Sequence, residues 1–127
     1  MKLRCTTNSI RIRLRKSEVS SLIDDQLIEE FIGFQPDQKF CFSISLDEQA
    51  HAISANLECQ KIQITIPLSI AKKWAETEQV GMEAVQEIGD GEQLTLLIEK
   101  DYPCVTRPDE DKADFFGELQ NKTSNAC

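Results

Sequence analysis

The amino-acid sequence predicts an α+β domain: a mainly antiparallel β-barrel or half-barrel of about eight strands with two short helices, built from a duplicated β-α-β-β unit. Three observations carry this. The first is internal similarity. Ile10-Arg11-Ile12-Arg13-Leu14 and Ile62-Gln63-Ile64-Thr65-Ile66 lie 52 positions apart, and each is followed by a serine and an amphipathic stretch. The register holds from Ser17 and Ser69 to Val19 and Ala71, Leu22 and Trp74, Ile23 and Ala75, and 38–44 then lies over 92–98. The second is alternation of apolar and polar residues at period two, the mark of strands with one buried face. The third is number: about eight such strands can remove their unpaired edges by curling into a barrel.

The elements follow in order. Residues 2–7 and 9–15 read as a hairpin turned at Thr6-Thr7-Asn8-Ser9. In its second arm Ile10, Ile12 and Leu14 share one side, and Arg11, Arg13 and Arg15 the other. Ser17 is the expected N-cap of a helix over 18–25, with Glu18 at the positive end of its dipole and Val19, Leu22 and Ile23 as its apolar stripe. Strands follow over 27–34 and 38–46, separated by Gln35-Pro36-Asp37, with Phe40, Phe42, Ile44 and Leu46 on one face. The second unit has strands at 51–57 and 59–66, with Pro67 leading into a helix over 68–77 whose Ile70, Ala71, Trp74 and Ala75 face inward. A last hairpin, 79–88 and 92–100, turns at Gly89-Asp90-Gly91. Residues 1–116 form one domain, with repeat units near 9–47 and 61–101, and residues 117–127 read as a flexible, polar tail.

Composition narrows the class. At 127 residues with 40% hydrophobic and 28% charged residues, the chain fits one globular domain. No apolar run approaches the roughly 20 residues of a membrane span, and the start lacks a secretory core. A cytoplasmic location is therefore expected, which leaves the Asn121-Lys122-Thr123 sequon without meaning. Five cysteines with no C-x-x-C pair give no disulfide framework in a reducing compartment, and Cys5 and Cys41 read as small packing residues.

The net charge of −8 is unevenly placed: residues 1–16 hold six basic residues and no acid. The acidic remainder argues against nucleic-acid binding. Nothing in the sequence fixes the oligomeric state, and it calls for no cofactor.

Two segments, Asn8 to Val19 and Glu99-Lys100-Asp101-Tyr102-Pro103-Cys104 with the acids after it, resemble an uncharacterised family of small bacterial proteins. That resemblance implies a small cytosolic domain and no assigned reaction. The architecture is also similar to the triphosphate-tunnel phosphatases of the CYTH-like fold, which pair duplicated antiparallel units with a helix after the first strand. Those proteins open with alternating glutamates and a lysine that hold metal ions. Here the early strands carry Lys2, Arg4, Arg11, Arg13 and Arg15 instead.

The arginine row is the sharpest chemical feature. Residues two apart on a strand project from one face about 6.5–7 Å apart. Arg11, Arg13 and Arg15, flanked by Lys2 or Arg4, thus form an array of forked donors suited to carboxylate or phosphate. Facing a cavity it binds an anionic small molecule. Facing acidic neighbours it is a salt-bridged surface, and a protein partner is a third use. Asp101, Cys104, Asp109, Glu110, Asp111 and Asp114 are weaker candidates for a divalent ion, because their spacing matches no standard site. His51 reads as a partly buried structural residue beside Ile53, Ala55 and Leu57. Cys104 among acids is a poor nucleophile, and no phosphate loop or dinucleotide fingerprint occurs. The sequence therefore favours a non-catalytic domain that binds an anionic ligand or a partner. The alternatives are a phosphate-ester hydrolase using Glu83, Glu87 or Glu99, and a structural subunit docking through a sheet edge or Phe115-Phe116.

Overall fold

A computed structural model describes residues 1–101. The elements run β1 (Lys2–Thr6), β2 (Ser9–Leu14), α1 (Lys16–Asp25), β3 (Leu27–Gln35), β4 (Gln38–Asp47), β5 (Ser54–Glu58), β6 (Lys61–Pro67), α2 (Leu68–Glu76), β7 (Gly81–Gly89) and β8 (Glu92–Lys100). The order strand–strand–helix–strand–strand thus occurs twice. The expected junction of tail and domain lies outside the described residues.

The strands form two four-stranded sheets, β1-β2-β8-β7 and β3-β4-β6-β5. Hairpins supply the antiparallel outer pairs. The two central pairs, β2 with β8 and β4 with β6, are parallel. The sheets are therefore mixed, and each takes one hairpin from either half of the chain.

The expected barrel does not close. Among the described residues no backbone ladder joins β1 to β3 or β5 to β7. Side chains bridge both seams instead. At one, the Gln86 amide imitates a strand: the Ala55 N–H donates to its Oε1 at 2.8 Å, and its Nε2 donates to the Ala55 carbonyl at 3.0 Å. At the other, the Met1 α-amino group donates to Glu30 Oε1 at 2.6 Å.

One core serves both sheets and both helices. Ile12, Leu14, Ile44, Ile64, Ile66, Leu96 and Ile98 are buried, and Val19, Leu22, Ala71 and Trp74 join them from the helices. The helices follow the ends of β2 and β6 and touch each other, so the apolar stripes expected for them meet at one end of the fold. Trp74, fully buried, donates from Nε1 to the Val80 carbonyl at 2.9 Å and so ties α2 to the start of β7.

Local chemistry explains the departures from expectation. Arg15, not Ser17, caps α1, because Glu18 reaches back and accepts from the Arg15 N–H at 2.9 Å. Gln26 ends the helix in the left-handed region, its N–H bonded to the Leu22 carbonyl. Ile70 is half-exposed rather than inward. His51 is exposed and precedes β5 in a bend, so it is not the partly buried strand residue expected. Cys5 is exposed as well. The Asp90-Gly91 turn has both residues at positive φ, as a two-residue type I′ hairpin requires.

Candidate functional site

Strand register fixes the arginine row. Leu3, Ile12, Leu14, Leu96, Ile98 and Met82 face the core, so their neighbours in sequence point out of the β1-β2-β8-β7 sheet. Lys2 lies opposite Arg13, and Arg4 opposite Arg11. On the other side of β2, Arg13 aligns with Glu99 and Arg11 with Leu97. Beyond β8, Glu83 of β7 aligns with Leu97. The arginines therefore occupy an outward sheet face, while the side facing the other sheet is apolar and packed.

Glu99 is the centre of this face. Its Oε1 accepts from Arg11 Nε and from Arg13 Nε, each at 2.7 Å. The two guanidinium groups cover it, leaving its side chain 7% exposed and that of Arg13 14%. Burial alone would raise the Glu99 pKa, but the hydrogen bonds from Arg11 and Arg13 outweigh it and hold the carboxyl below its ordinary value.

The remaining members divide. Lys2 Nζ meets Asp101 Oδ2 at 3.0 Å. Arg15 leaves the row at the strand end, where its Nε donates to Glu18 Oε1 at 3.2 Å. Arg4 is exposed and has no hydrogen bond or ion pair among the described residues. Sequence reasoning places Arg11 and Arg13 side by side and names Glu99 as a candidate acid of the hydrolase alternative, not as their shared partner. The available signal was that Glu99 is the single acid within the apolar run from Leu94 to Ile98 and beyond to Lys100. Which strand it would join was not written locally.

Glu18 and the Met1 amino group form a second charged cluster that the sequence did not announce. Glu18 accepts from the Met1 amino group, which also meets Glu30. Burial raises the Glu18 pKa, but hydrogen bonds from the Met1 amino group, the Arg15 N–H and the Arg15 guanidinium overcome it and lower it to about 2. In the unfolded chain this carboxyl titrates near its ordinary 4.5, so on acidification the unfolded state takes up the proton first. The stabilisation from Glu18 is complete above that value and is lost as pH falls toward about 2. In Glu18→Gln, urea midpoints should be lower at neutral pH and fall less steeply across the acid window; an unchanged acid slope would refute the assignment.

Of the metal candidates, Asp101 is engaged by Lys2, and Cys104, Asp109, Glu110, Asp111 and Asp114 lie outside the described residues. Among the described residues no group of three His, Cys, Asp or Glu is placed to hold a metal ion. Phe115 and Phe116 also lie outside them. No helix among the described residues is long and apolar enough to cross a membrane.

Fold and site thus define a small α+β domain of two mixed sheets with a charged outer face. The chain belongs to a family of unknown function, DUF7009, whose model matches residues 1–120. This agrees with the resemblance to an uncharacterised family drawn from its two ends. No curated protein and no solved structure matched the chain.

Proposed function

We propose that this domain is a non-catalytic binding module for carboxylate- or phosphate-bearing partners, which dock on the outer face of the β1-β2-β8-β7 sheet. The observation that carries this is Arg4, exposed directly across from Arg11 and without a hydrogen bond or ion pair among the described residues. Among the described residues Lys2 meets Asp101, and Arg11 shares Glu99 with Arg13, while Arg4 stands on the same face beside them. Glu99 occupies the Nε groups of Arg11 and Arg13 and holds both guanidinium planes in fixed positions. A fork held in place loses less rotamer freedom when it meets an anion, which favours binding.

The test is calorimetric titration, at low salt, with inorganic tripolyphosphate and citrate. Binding is expected for the unaltered protein and a loss of tenfold or more for Arg4→Glu. A panel with no binder, or binding that survives Arg4→Glu, ends this reading. The phosphate-ester hydrolase alternative has no observation in its favour: Glu99 is locked between two arginines, and Glu87 accepts from Gln93.

Two further readings belong with this one. The repeated element order, together with the exchange of hairpins between sheets, supports descent from two copies of one unit. The unpaired Cys5, Cys41 and Cys59 are compatible with a reducing, cytoplasmic setting.

A further inference from the structure

The charged face has two unlike margins. β1 and β2 carry Lys2, Arg4, Arg11 and Arg13, while β7, at the opposite edge, carries Glu83 and Glu87. Between them lies Leu97 on β8, and Val85, 55% exposed, sits on β7 between Glu83 and Glu87. Arg4, Arg11, Leu97 and Glu83 form one row across the four strands. Arg4 and Glu83 stand at its two ends, both exposed, and neither has a partner among the described residues. Three strand spacings, about 14 Å, separate them, which is too far for an ion pair within one chain.

A two-fold axis parallel to the strands solves this mismatch. Turning a second copy about such an axis lays its β7 over β1 of the first, and its β1 over β7. The basic margin then faces the acidic margin at both ends, Leu97 of β8 falls near the middle, and Val85 lies over β1 of the other copy. An axis perpendicular to the strands, in the plane of the interface, would instead set Arg4 against the same basic margin. We propose that the outer face of the β1-β2-β8-β7 sheet pairs with the same face of a second copy of this chain, Arg4 of each copy meeting Glu83 of the other. The proposal rests on the reading of Arg4 as an unfilled anion contact and names its occupant. Such a contact is isologous and closed, so it gives dimers and not filaments. The face measures roughly 400 Å² in outline from strand spacing and rise. Stable partners usually bury about 800 Å² each, so the dimer should be weak, micromolar or looser, and sensitive to salt.

The test is sedimentation equilibrium of the full chain across the micromolar range at low and high salt. The unaltered chain should dimerise reversibly, and less so as salt rises. Arg4→Glu and Glu83→Arg should each weaken the dimer about tenfold or more. An equimolar mixture of these two variants should recover it, because every Arg–Glu contact is then restored between unlike copies, and recovery also shows both variants to be folded. A chain that stays monomeric, a dimer that neither variant disturbs, or a mixture that fails to recover would each overturn the proposal. Tripolyphosphate binding by a strictly monomeric chain would overturn it while leaving the anion-binding reading in place. A dimer rescued in the mixture, with no small anion bound, would do the reverse.

Discussion

Trp74→Ala is expected to lower the unfolding free energy by about 4 kcal/mol, a large share of the roughly 5–15 kcal/mol of a typical domain. Trp74 is fully buried at the end of the fold where α1 and α2 meet. Its ring packs into the cluster formed with Ile66, Ala71 and Leu22, so truncation leaves a cavity that two short helices and two sheets cannot easily collapse. The hydrogen bond matters less than the volume. The Val80 carbonyl also accepts from the Lys100 N–H at 2.9 Å, so it keeps a partner when the indole is gone. Trp74→Phe should therefore cost only about 1–2 kcal/mol. Urea denaturation followed by circular dichroism measures both. Equal losses for the two variants would show that the indole N–H, and not the ring volume, sets the stability of this end.

Glu99→Leu is expected to cost about 3 kcal/mol, because it strips the shared acceptor from two guanidinium groups that stay partly buried. The estimate sits at the low end for a broken buried ion pair, since Arg11 retains access to water. The diagnostic result is the combination. Replacing Arg11 and Arg13 with Met in the same chain should recover most of the loss, because the uncompensated charges leave with their partner. If the triple variant is no more stable than Glu99→Leu alone, by urea midpoint, the triad owes its worth to something other than charge pairing. Glu99→Leu also removes the acceptor that holds both Nε groups, so any anion bound on this face should be held less selectively.

Much of the architecture was legible in local pattern. Alternation in Ile10-Ile12-Leu14, Phe42-Ile44-Leu46 and Ile62-Ile64-Ile66 placed strands and their buried faces correctly, since period two is a property of the backbone alone. Gly89-Asp90-Gly91 announced its turn through residues that tolerate positive φ. The turn at Cys59-Gln60 was invisible for the opposite reason. Both residues adopt positive φ, 50° and 63°, without glycine or asparagine to signal it. Leu57 follows the alternation yet is 71% exposed, near the end of the edge strand β5.

What could not be read was pairing between distant strands. The arginine row was seen, and so was its polar face, but its direction depended on which strand lay beside β2. Glu99 stands 88 residues from Arg11, and no local signal selects a parallel neighbour at that distance. Closure failed for a related reason. Alternation says that edges exist and not how they are covered. Here the Gln86 amide and the Glu30 carboxylate, which accepts from the Met1 amino group, cover them in place of ladders.

The parallel pairing of β2 with β8 and of β4 with β6 reaches beyond geometry. During synthesis the first sheet cannot be completed until its last strand has left the ribosome, so β1 and β2 must wait with one margin unsatisfied. The second sheet waits in the same way for β6. Contacts this remote in sequence make for slow assembly. The nascent first half is thus an orphan pair of hairpins, dependent on its sibling and on whatever shelters it meanwhile.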